Sequence, residues 1–179
     1  MITGECGEPR EPRHNIKPDC NSNRFETTGL NPAKDAITEV GIIRYEQGAY
    51  FNYSRLVNPG MAISKEAARI SGITNEMVSA QPVIADVFQE FLPYLENTLL
   101  IAHNAVFDLS FLNAALRLSG LPLYSGEVLD TRLLCKHVYP FQKSYTLQNL
   151  AKALMLESKE AHRAGDDARI CLEIFMRCI

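Results

Sequence analysis

Residues 98–108 read TLLIAHNAVFD, and the first five of them form an uninterrupted apolar run of strand length. A run without polar alternation is typical of a strand that is buried on both faces. The polar pair His103 and Asn104 ends the run, and apolar side chains then recur at helical spacing over residues 107–118, before Gly120. A buried strand that leads directly into a helix indicates an α/β fold.

The segments on both sides of this stretch alternate between strand patterns and helix patterns. Strands at 36–44 and 50–57 flank a Gln-Gly turn, which predicts a hairpin. A single apolar stripe predicts a helix over 83–95, in which Pro93 should kink or end the last turn. The remaining predicted elements are a short helix between Ser64 and Gly72, a strand at 127–129, and helices at 131–138, 147–156 and 163–178. We therefore predict one α/β domain, with a mixed central β-sheet flanked by α-helices.

The first 24 residues differ from the rest of the chain. They contain three prolines and many charged side chains, without any alternation of apolar and polar residues. Such a segment buries too little apolar surface to offset the entropy lost on ordering. We predict an irregular segment over residues 1–24, and a globular domain over residues 25–179.

Charge and cysteine content limit the classes of function. The net charge of −3 excludes a general basic surface for duplex nucleic acid, so any nucleic-acid contact must be local. The five cysteines include no CxxC pair, and we expect reduced thiols, with Cys171 and Cys178 in the core. No apolar run approaches the ~18 residues of a membrane span, and no signal peptide is recognisable. We expect a cytoplasmic protein without a membrane partner.

Three short segments carry residues that are suited to chemistry. They contain Glu26 in FETTGL, Asp108 in HNAVFD, and His162 with Asp167 in HRAGDDA. Each lies next to a predicted strand end or turn, where catalytic groups are commonly displayed. Each acid taken alone has a simpler explanation, as a solvated turn residue or as a first-turn acid favoured by the helix dipole. Asp130 is best explained as the cap of the following helix.

Together these segments resemble, in the same order, the landmark motifs of the DnaQ-like (DEDDh) 3′-to-5′ exonucleases. This family includes the proofreading epsilon subunit of bacterial DNA polymerase III. The second and third motifs are complete, as HNAVFD at 103–108 and HRAGDDA at 162–168, whereas the first is present only as ETTGL from Glu26 onward. The resemblance covers about residue 25 to the C-terminus. It implies a ribonuclease H-like fold and hydrolysis of phosphodiester bonds from nucleic-acid 3′ ends.

The resemblance also implies a cofactor and a set of site residues. Family members use four carboxylates to hold two Mg²⁺ or Mn²⁺ ions, for which hard oxygen ligands are suited. The implied catalytic and metal-binding residues are Glu26, Asp108 and Asp167, with His162 as the general base. The implied contacts to the terminal nucleotide are Thr27, Thr28, His103, Asn104 and Phe107. For Phe107, a position in the core is an equal alternative.

The first aspartate of the family pattern is absent. It stands two residues before the glutamate, and this chain has Arg24 at that position. An arginine stays protonated in a protein, so it places a fixed positive charge where a cation should be held. The preceding residues NIKPDCNSNR supply almost no apolar side chains, so we expect the first, central strand to be missing or aberrant. For the same reason, we expect that Arg24→Asp alone would not rebuild the site.

Several explanations and functions stay open at this point. The change at residue 24 has three explanations, namely a natural pseudoenzyme, a shifted reading frame or start, and a strand supplied by a partner. The chain is either an exonuclease of proofreading or repair with impaired activity, or an inactive module that binds nucleic acid or a polymerase. The implied partners are a single-stranded 3′ end, of DNA rather than RNA, and a DNA polymerase subunit. A relative of RNase T or oligoribonuclease is less favoured, because the Glu-Thr-Thr-Gly form resembles the DNA-acting members more.

Overall fold

A computed structural model describes residues 19–179 of the chain. The strands in this part are β1 (Cys20–Thr27), β2 (Ile37–Glu46), β3 (Ala49–Leu56), β4 (Leu99–Ala102) and β5 (Val128–Asp130). They form one sheet in the order β3-β2-β1-β4-β5. The first three strands pair antiparallel, whereas β1, β4 and β5 pair parallel. The predicted mixed sheet of an α/β domain is confirmed.

Helices cover both faces of this sheet. They are α1 (Lys65–Ser71), α2 (Asn75–Ser79), α3 (Ile84–Leu95), α4 (Ala105–Leu118), α5 (Thr131–Val138), α6 (Leu147–Ala153) and α7 (Ala164–Cys178). On one face, α3 and α4 pack over a core that contains Phe25 and Leu100. On the other face, α5, α6 and α7 pack over Ile43 and Ile101. Because β4 is covered on both sides, its residues are apolar throughout.

The structure confirms most of the predicted helix boundaries. Ser64 accepts a hydrogen bond from an amide in the first turn of α1, and Gly72 ends this helix in a left-handed conformation with φ of 71°. Pro93 is accommodated in the last turn of α3, which ends at Leu95. The sequence pattern does not predict α2, since its five residues are too few to show helical periodicity.

The first strand corrects the prediction of an irregular segment through residue 24. Residues 1–18 lie outside the described part of the chain, but Cys20 to Arg24 belong to β1 at the centre of the sheet. Cys20 pairs with Tyr45 of β2 on one side and with Leu99 of β4 on the other. Backbone hydrogen bonds to the two neighbouring strands do not depend on the side chains. The composition of residues 20–24 therefore gave a wrong prediction. Of the two predicted alternatives for this strand, a missing or an aberrant one, the first is wrong.

The composition of β1 is nevertheless unusual for a central strand. Asn21, Ser22 and Asn23 are fully buried between the two layers of helices. The side-chain amide of Asn21 donates to the carbonyl of Tyr94, but its Oδ1 has no partner among the described residues. Neither Oδ1 nor Nδ2 of Asn23 has a partner there. A buried polar atom without a hydrogen bond carries a desolvation penalty, so this strand destabilises the domain locally.

The described cysteines are reduced thiols, as the sequence predicts. Cys20, Cys135 and Cys171 are buried, and Cys178 is partly exposed near the C-terminal end of α7. None of these four forms a disulfide. Within residues 19–179, no helix has both the length and the apolar character that crossing a membrane requires.

Replacing the unpaired amide in the central strand should stabilise the domain. We expect Asn23→Val to raise the free energy of unfolding by about 1–3 kcal/mol, because it removes an unsatisfied buried amide and adds a β-branched residue. Urea and thermal denaturation would measure this change. Asn52→Val, at an exposed position of β3, is the matched control and should have little effect. An Asn23→Val variant less stable than the native chain would contradict the interpretation of β1.

Candidate active site

The three carboxylates of the motifs come from three elements that meet beside β1. Glu26 lies near the C-terminal end of β1, Asp108 in the first turn of α4, and Asp167 in the first turn of α7. The amide of Phe25 donates to Asp108 Oδ1 at 3.0 Å, which joins α4 to the strand. Glu26, Asp108 and Asp167 are 9%, 0% and 2% exposed, and their charges interact. The structure therefore brings together the three acids that the sequence predicts.

Arg24 is the fourth member of this cluster. It lies two residues before Glu26 on the same strand, so both side chains project from the same face of the sheet. Its Nη1 donates to Asp108 Oδ2 at 3.2 Å and to the carbonyl oxygen of His103 at 3.4 Å. The guanidinium charge also interacts with Asp167. One cationic side chain therefore lies among three buried carboxylates.

The carboxylates of the cluster resist ionisation. Burial raises the pKa of Glu26 to about 8, although the charge of Arg24 opposes this shift. Burial raises the pKa of Asp108 and of Asp167 as well, again against the influence of Arg24. Burial alone would lower the pKa of Arg24, but the attraction of the acids raises it, so the guanidinium stays charged. The three carboxyl groups share a single positive charge, that of the Arg24 guanidinium, which is too little to keep all three of them ionised.

The N-terminal end of α7 holds Asp167 and His162 next to each other. Asp167 Oδ1 accepts hydrogen bonds from the backbone amide of His162 at 3.3 Å and from Gln148 Nε2 at 2.9 Å. His162 has a positive φ of 64° and is exposed, and it lines the cleft described below. Its side chain is therefore accessible beside the acid. The sequence analysis missed Gln148 on α6, because a single glutamine in a helix carries no motif signal.

A buried ion pair fixes the start of α7 against the sheet. Glu39 of β2 is 1% exposed, and it accepts from Arg163 Nη2 at 2.7 Å and from the amide of Ala164 at 2.9 Å. Gly41 permits this close approach, since a Cβ atom there would lie 2.1 Å from the carbonyl carbon of Ala164. This contact sets the position of Asp167. The sequence analysis missed Glu39, although an acid inside an apolar strand was a usable signal.

His103 is held by hydrogen bonds inside the protein. Its Nε2–H donates to the carbonyl oxygen of Tyr145 at 2.9 Å, and its Nδ1 lies 2.9 Å from Thr131 Oγ1. Burial lowers the pKa of His103 to about 4, so the ring is neutral near pH 7. Because both ring nitrogens have protein partners, His103 positions the surrounding loops, and the predicted nucleotide contact through its nitrogens has no support in this geometry.

Asp130 links the N-terminal ends of two helices. Its Oδ1 accepts from the amide of Arg132 in the first turn of α5, which confirms the predicted cap. Its Oδ2 accepts from the amide of Ala105 at the start of α4, at 2.9 Å. The chain reaches α4 through Asn104, which has a positive φ of 67°. A single carboxylate therefore orients the helix that carries Asp108.

Thr27 and Thr28 form part of the loop that follows β1. The hydroxyl of Thr27 donates to the carbonyl oxygen of Gly29 at 2.6 Å. Thr28 is 2% exposed, and its hydroxyl donates to Asp35 Oδ1 and accepts from the amide of Ala36. The side chain of Thr28 therefore stabilises the loop, and the contact of this residue to the terminal nucleotide stays a prediction.

An open cleft of about 580 Å³ leads to the carboxylate cluster. Arg24, Asn104 and Phe107 line it and combine a charge, an amide and an aromatic ring. Phe107 is half-buried and packs against the core residue Phe111, whereas its contact to the terminal nucleotide stays a prediction. Leu30, which is 84% exposed, and Arg132 also line the cleft, and the sequence analysis did not select either residue.

Divalent cations do not fit this cluster as it stands. Arg24 Nη1 lies 3.2 Å from one oxygen of Asp108, and the Phe25 amide donates to the other oxygen. Among residues 19–179, no group of three or more His, Cys, Asp or Glu side chains is arranged to hold a metal ion. A cation could bind only by displacing the guanidinium.

Comparison with known proteins identifies the family. A family model described as exonuclease, RNase T, matches residues 25–175. The chain belongs to this exonuclease family. The DNA polymerase III subunit epsilon of Treponema pallidum is 38% identical to it over 157 residues, which are 86% of this chain and 73% of that protein. The PolC-type DNA polymerase III of Thermotoga petrophila is also 38% identical over 157 residues, but these are 87% of this chain and only 11% of that protein.

Solved structures show the same fold. Exonuclease X in complex with 5′ overhanging duplex DNA matches the exonuclease domain with a TM-score of 0.71 and 28% identity, over 89% of this chain and 90% of that chain. The zinc ion bound form of an Escherichia coli Exonuclease I complex with single-stranded DNA matches with a TM-score of 0.76 and 21% identity. This second match covers 90% of this chain and 40% of that chain. The predicted ribonuclease H-like fold is confirmed.

The close approach of α7 to Gly41 predicts that a side chain at position 41 would destabilise the domain. Gly41→Ala should lower the free energy of unfolding by about 1–3 kcal/mol, because the added methyl group pushes the backbone of α7 away from β2. Urea denaturation would measure this loss. Gly165→Ala, within α7, is the matched control, since its Cβ would make only an ordinary contact of 3.4 Å with Ser54 of β3. Equal effects of the two substitutions would contradict the role of Gly41.

The environment of His103 predicts that the stability of the domain depends on pH. The folded ring should stay neutral down to about pH 4, whereas an unfolded histidine binds a proton near pH 6.5. A lowered folded pKa gives stability that is present above pH 6.5 and is lost as the pH falls toward 4. Carbon NMR of the His103 ring would measure its pKa directly. Protonation of the folded ring near pH 6.5 would contradict the prediction.

Proposed function

We propose that this exonuclease domain binds the single-stranded 3′ end of a nucleic acid and hydrolyses it in the 3′-to-5′ direction, with strongly impaired activity. DNA is favoured over RNA as the substrate, because the relatives named above are the epsilon subunit and a PolC-type form of DNA polymerase III, and the structure of Exonuclease X is a complex with duplex DNA. The open cleft that ends at the acidic cluster supports binding of a strand end.

One observation supports the impaired activity. The guanidinium of Arg24 donates to Asp108 at 3.2 Å, at the centre of the acids that the family resemblance assigns to metal binding. In this arrangement Asp108 forms an ion pair with an internal cation, whose charge also interacts with Glu26 and Asp167. The three acids would therefore act as ligands of two Mg²⁺ or Mn²⁺ ions only in a chain that has an acidic residue at position 24.

The other residues of the cleft retain their proposed roles. His162 is exposed beside Asp167, and an imidazole can accept a proton from water near neutral pH. Phe107 offers an aromatic surface on which an unstacked terminal base could pack without sequence readout. Asn104 adds an exposed amide at the same cleft. These features suit a frayed single-stranded end.

The second candidate function is an inactive binding module of the same family. The ion pair between Arg24 and Asp108 favours it, since the pair removes a carboxylate from catalysis altogether. A DNA polymerase subunit is then the proposed protein partner, because both relatives belong to DNA polymerase III. Residual hydrolysis separates the two candidates. An impaired enzyme loses its remaining turnover in Asp108→Ala, whereas an inactive module has no turnover to lose.

The structure revises the expectation that Arg24→Asp would be insufficient. Residue 24 pairs with Gly41 and residue 26 with Glu39, so β1 is already formed in the register that aims position 24 at the cluster. We expect Arg24→Asp alone to increase Mn²⁺-dependent or Mg²⁺-dependent hydrolysis by about 10³-fold, since a correctly held metal contributes several kcal/mol of transition-state stabilisation. Degradation of a 5′-labelled single-stranded oligonucleotide would measure the rate.

A second measurement accompanies this test. Four buried carboxylates without a cation repel one another, so the melting temperature of Arg24→Asp should rise on addition of Mn²⁺, whereas that of the native chain should not. The double variant Arg24→Asp, Asp108→Ala is the control for a contaminating nuclease and should be inactive. Hydrolysis by the native chain as fast as by Arg24→Asp, with loss in Asp108→Ala, would overturn the proposal.

A further inference from the structure

The guanidinium of Arg24 keeps hydrogen-bond donors for a ligand. The side chain is 24% exposed and lines the cleft. Its Nη1 is used by Asp108 and by the carbonyl of His103, whereas Nη2 has no partner within residues 19–179. Its Nε is buried and also has no partner in that part of the chain. Because a guanidinium carries five N–H donors, bonds to the protein do not saturate this one.

The positive charge of Arg24 allows an anionic ligand to bind next to the three acids. A phosphodiester that approaches Glu26, Asp108 and Asp167 without a counter-charge would be repelled by any of these groups that is ionised. The chain has a net charge of −3, so no general positive field compensates for that repulsion. Arg24 places a permanent positive charge among the three acids. Arg132, at the rim of the cleft, is the second cation near the path of a strand.

The surroundings of the guanidinium match a nucleotide better than a free phosphate. Arginine binds phosphate oxygens through charge-assisted and bidentate hydrogen bonds. The ring of Phe107 has its centroid 5.8 Å from the guanidinium carbon, which is within reach of the base that belongs to that phosphate. Asn104 and Gln148 line the same cleft with amide groups. Phosphate, base and sugar of a terminal nucleotide therefore each have a neighbour of suitable chemistry.

We propose that Arg24 replaces the divalent cation in binding, so that the 3′ end of single-stranded nucleic acid binds in this cleft without any metal ion. The inference rests on the proposed function and deepens it, because it states how binding is retained where hydrolysis is lost. A guanidinium supplies the charge that attracts the phosphodiester, but it supplies no activated water.

Fluorescence anisotropy with a short 5′-labelled oligonucleotide that carries phosphorothioate linkages tests this inference. The native chain should bind with the same affinity, within about twofold, in EDTA and in Mg²⁺. Arg24→Met should weaken binding in EDTA by about tenfold or more, the usual effect of losing a charged hydrogen-bond partner. Arg24→Asp should bind only when Mg²⁺ is present. Arg69→Met removes an exposed arginine that does not line the cleft and should bind like the native chain.

The outcomes separate this inference from the proposed function. If the native chain binds the oligonucleotide in Mg²⁺ but not in EDTA, the inference is wrong and the proposed function stands. If it binds in neither condition, or binds a circular single strand equally well, both are wrong. Circular dichroism and thermal melting establish that each variant is folded. If Arg24→Met does not fold, Arg24→Lys takes its place, and binding by this variant in EDTA within a few-fold of the native affinity supports the charge as the cause.

Discussion

The contact between the guanidinium of Arg24 and the buried carboxylate of Asp108 is the interaction on which the arrangement of the site depends. It joins β1 to α4, and the charges of Glu26 and Asp167 bring β1 and α7 into the same cluster. Removing one partner of a buried ion pair costs about 3–5 kcal/mol, because the other charge is left uncompensated. Asp108, one of the acids that the family resemblance assigns to metal ions, is therefore paired with an internal cation.

The other contacts that hold the helices of the site against the sheet are present. Glu39 binds the start of α7 through Arg163, Gly41 allows the helix to approach, and Asp130 orients the start of α4. These contacts fix where α7 and α4 begin, whereas Arg24 supplies the positive charge that the carboxylates share. At the site, the departure from the exonuclease pattern is therefore the residue at position 24 of β1, and the open cleft beside it is formed all the same.

The central strand illustrates how a polar segment can occupy the middle of a sheet. Cys20 to Thr27 gain backbone hydrogen bonds from β2 along their length, and the N-terminal part also pairs with β4. These bonds and the apolar layers around Phe25 hold the strand in place despite the unpaired amide of Asn23. Backbone pairing thus outweighs an unfavourable local composition. The buried polar side chains still lower the stability of the domain, which Asn23→Val would measure.

The sequence by itself determined the α/β class, the three ordered motifs and the substitution at position 24. The α/β class follows from periodicity along the chain, which is a local property, whereas the motifs and the departure at position 24 follow from the resemblance to the exonuclease family. Only the tertiary structure decided that residues 20–24 form a central strand, because their side chains carry no strand pattern and the pairing partners are distant in the sequence. It also decided that Arg24 contacts Asp108, that Glu39 anchors α7, and that Gln148 contacts Asp167. Such contacts depend on how separate elements pack together, and no local pattern encodes that packing.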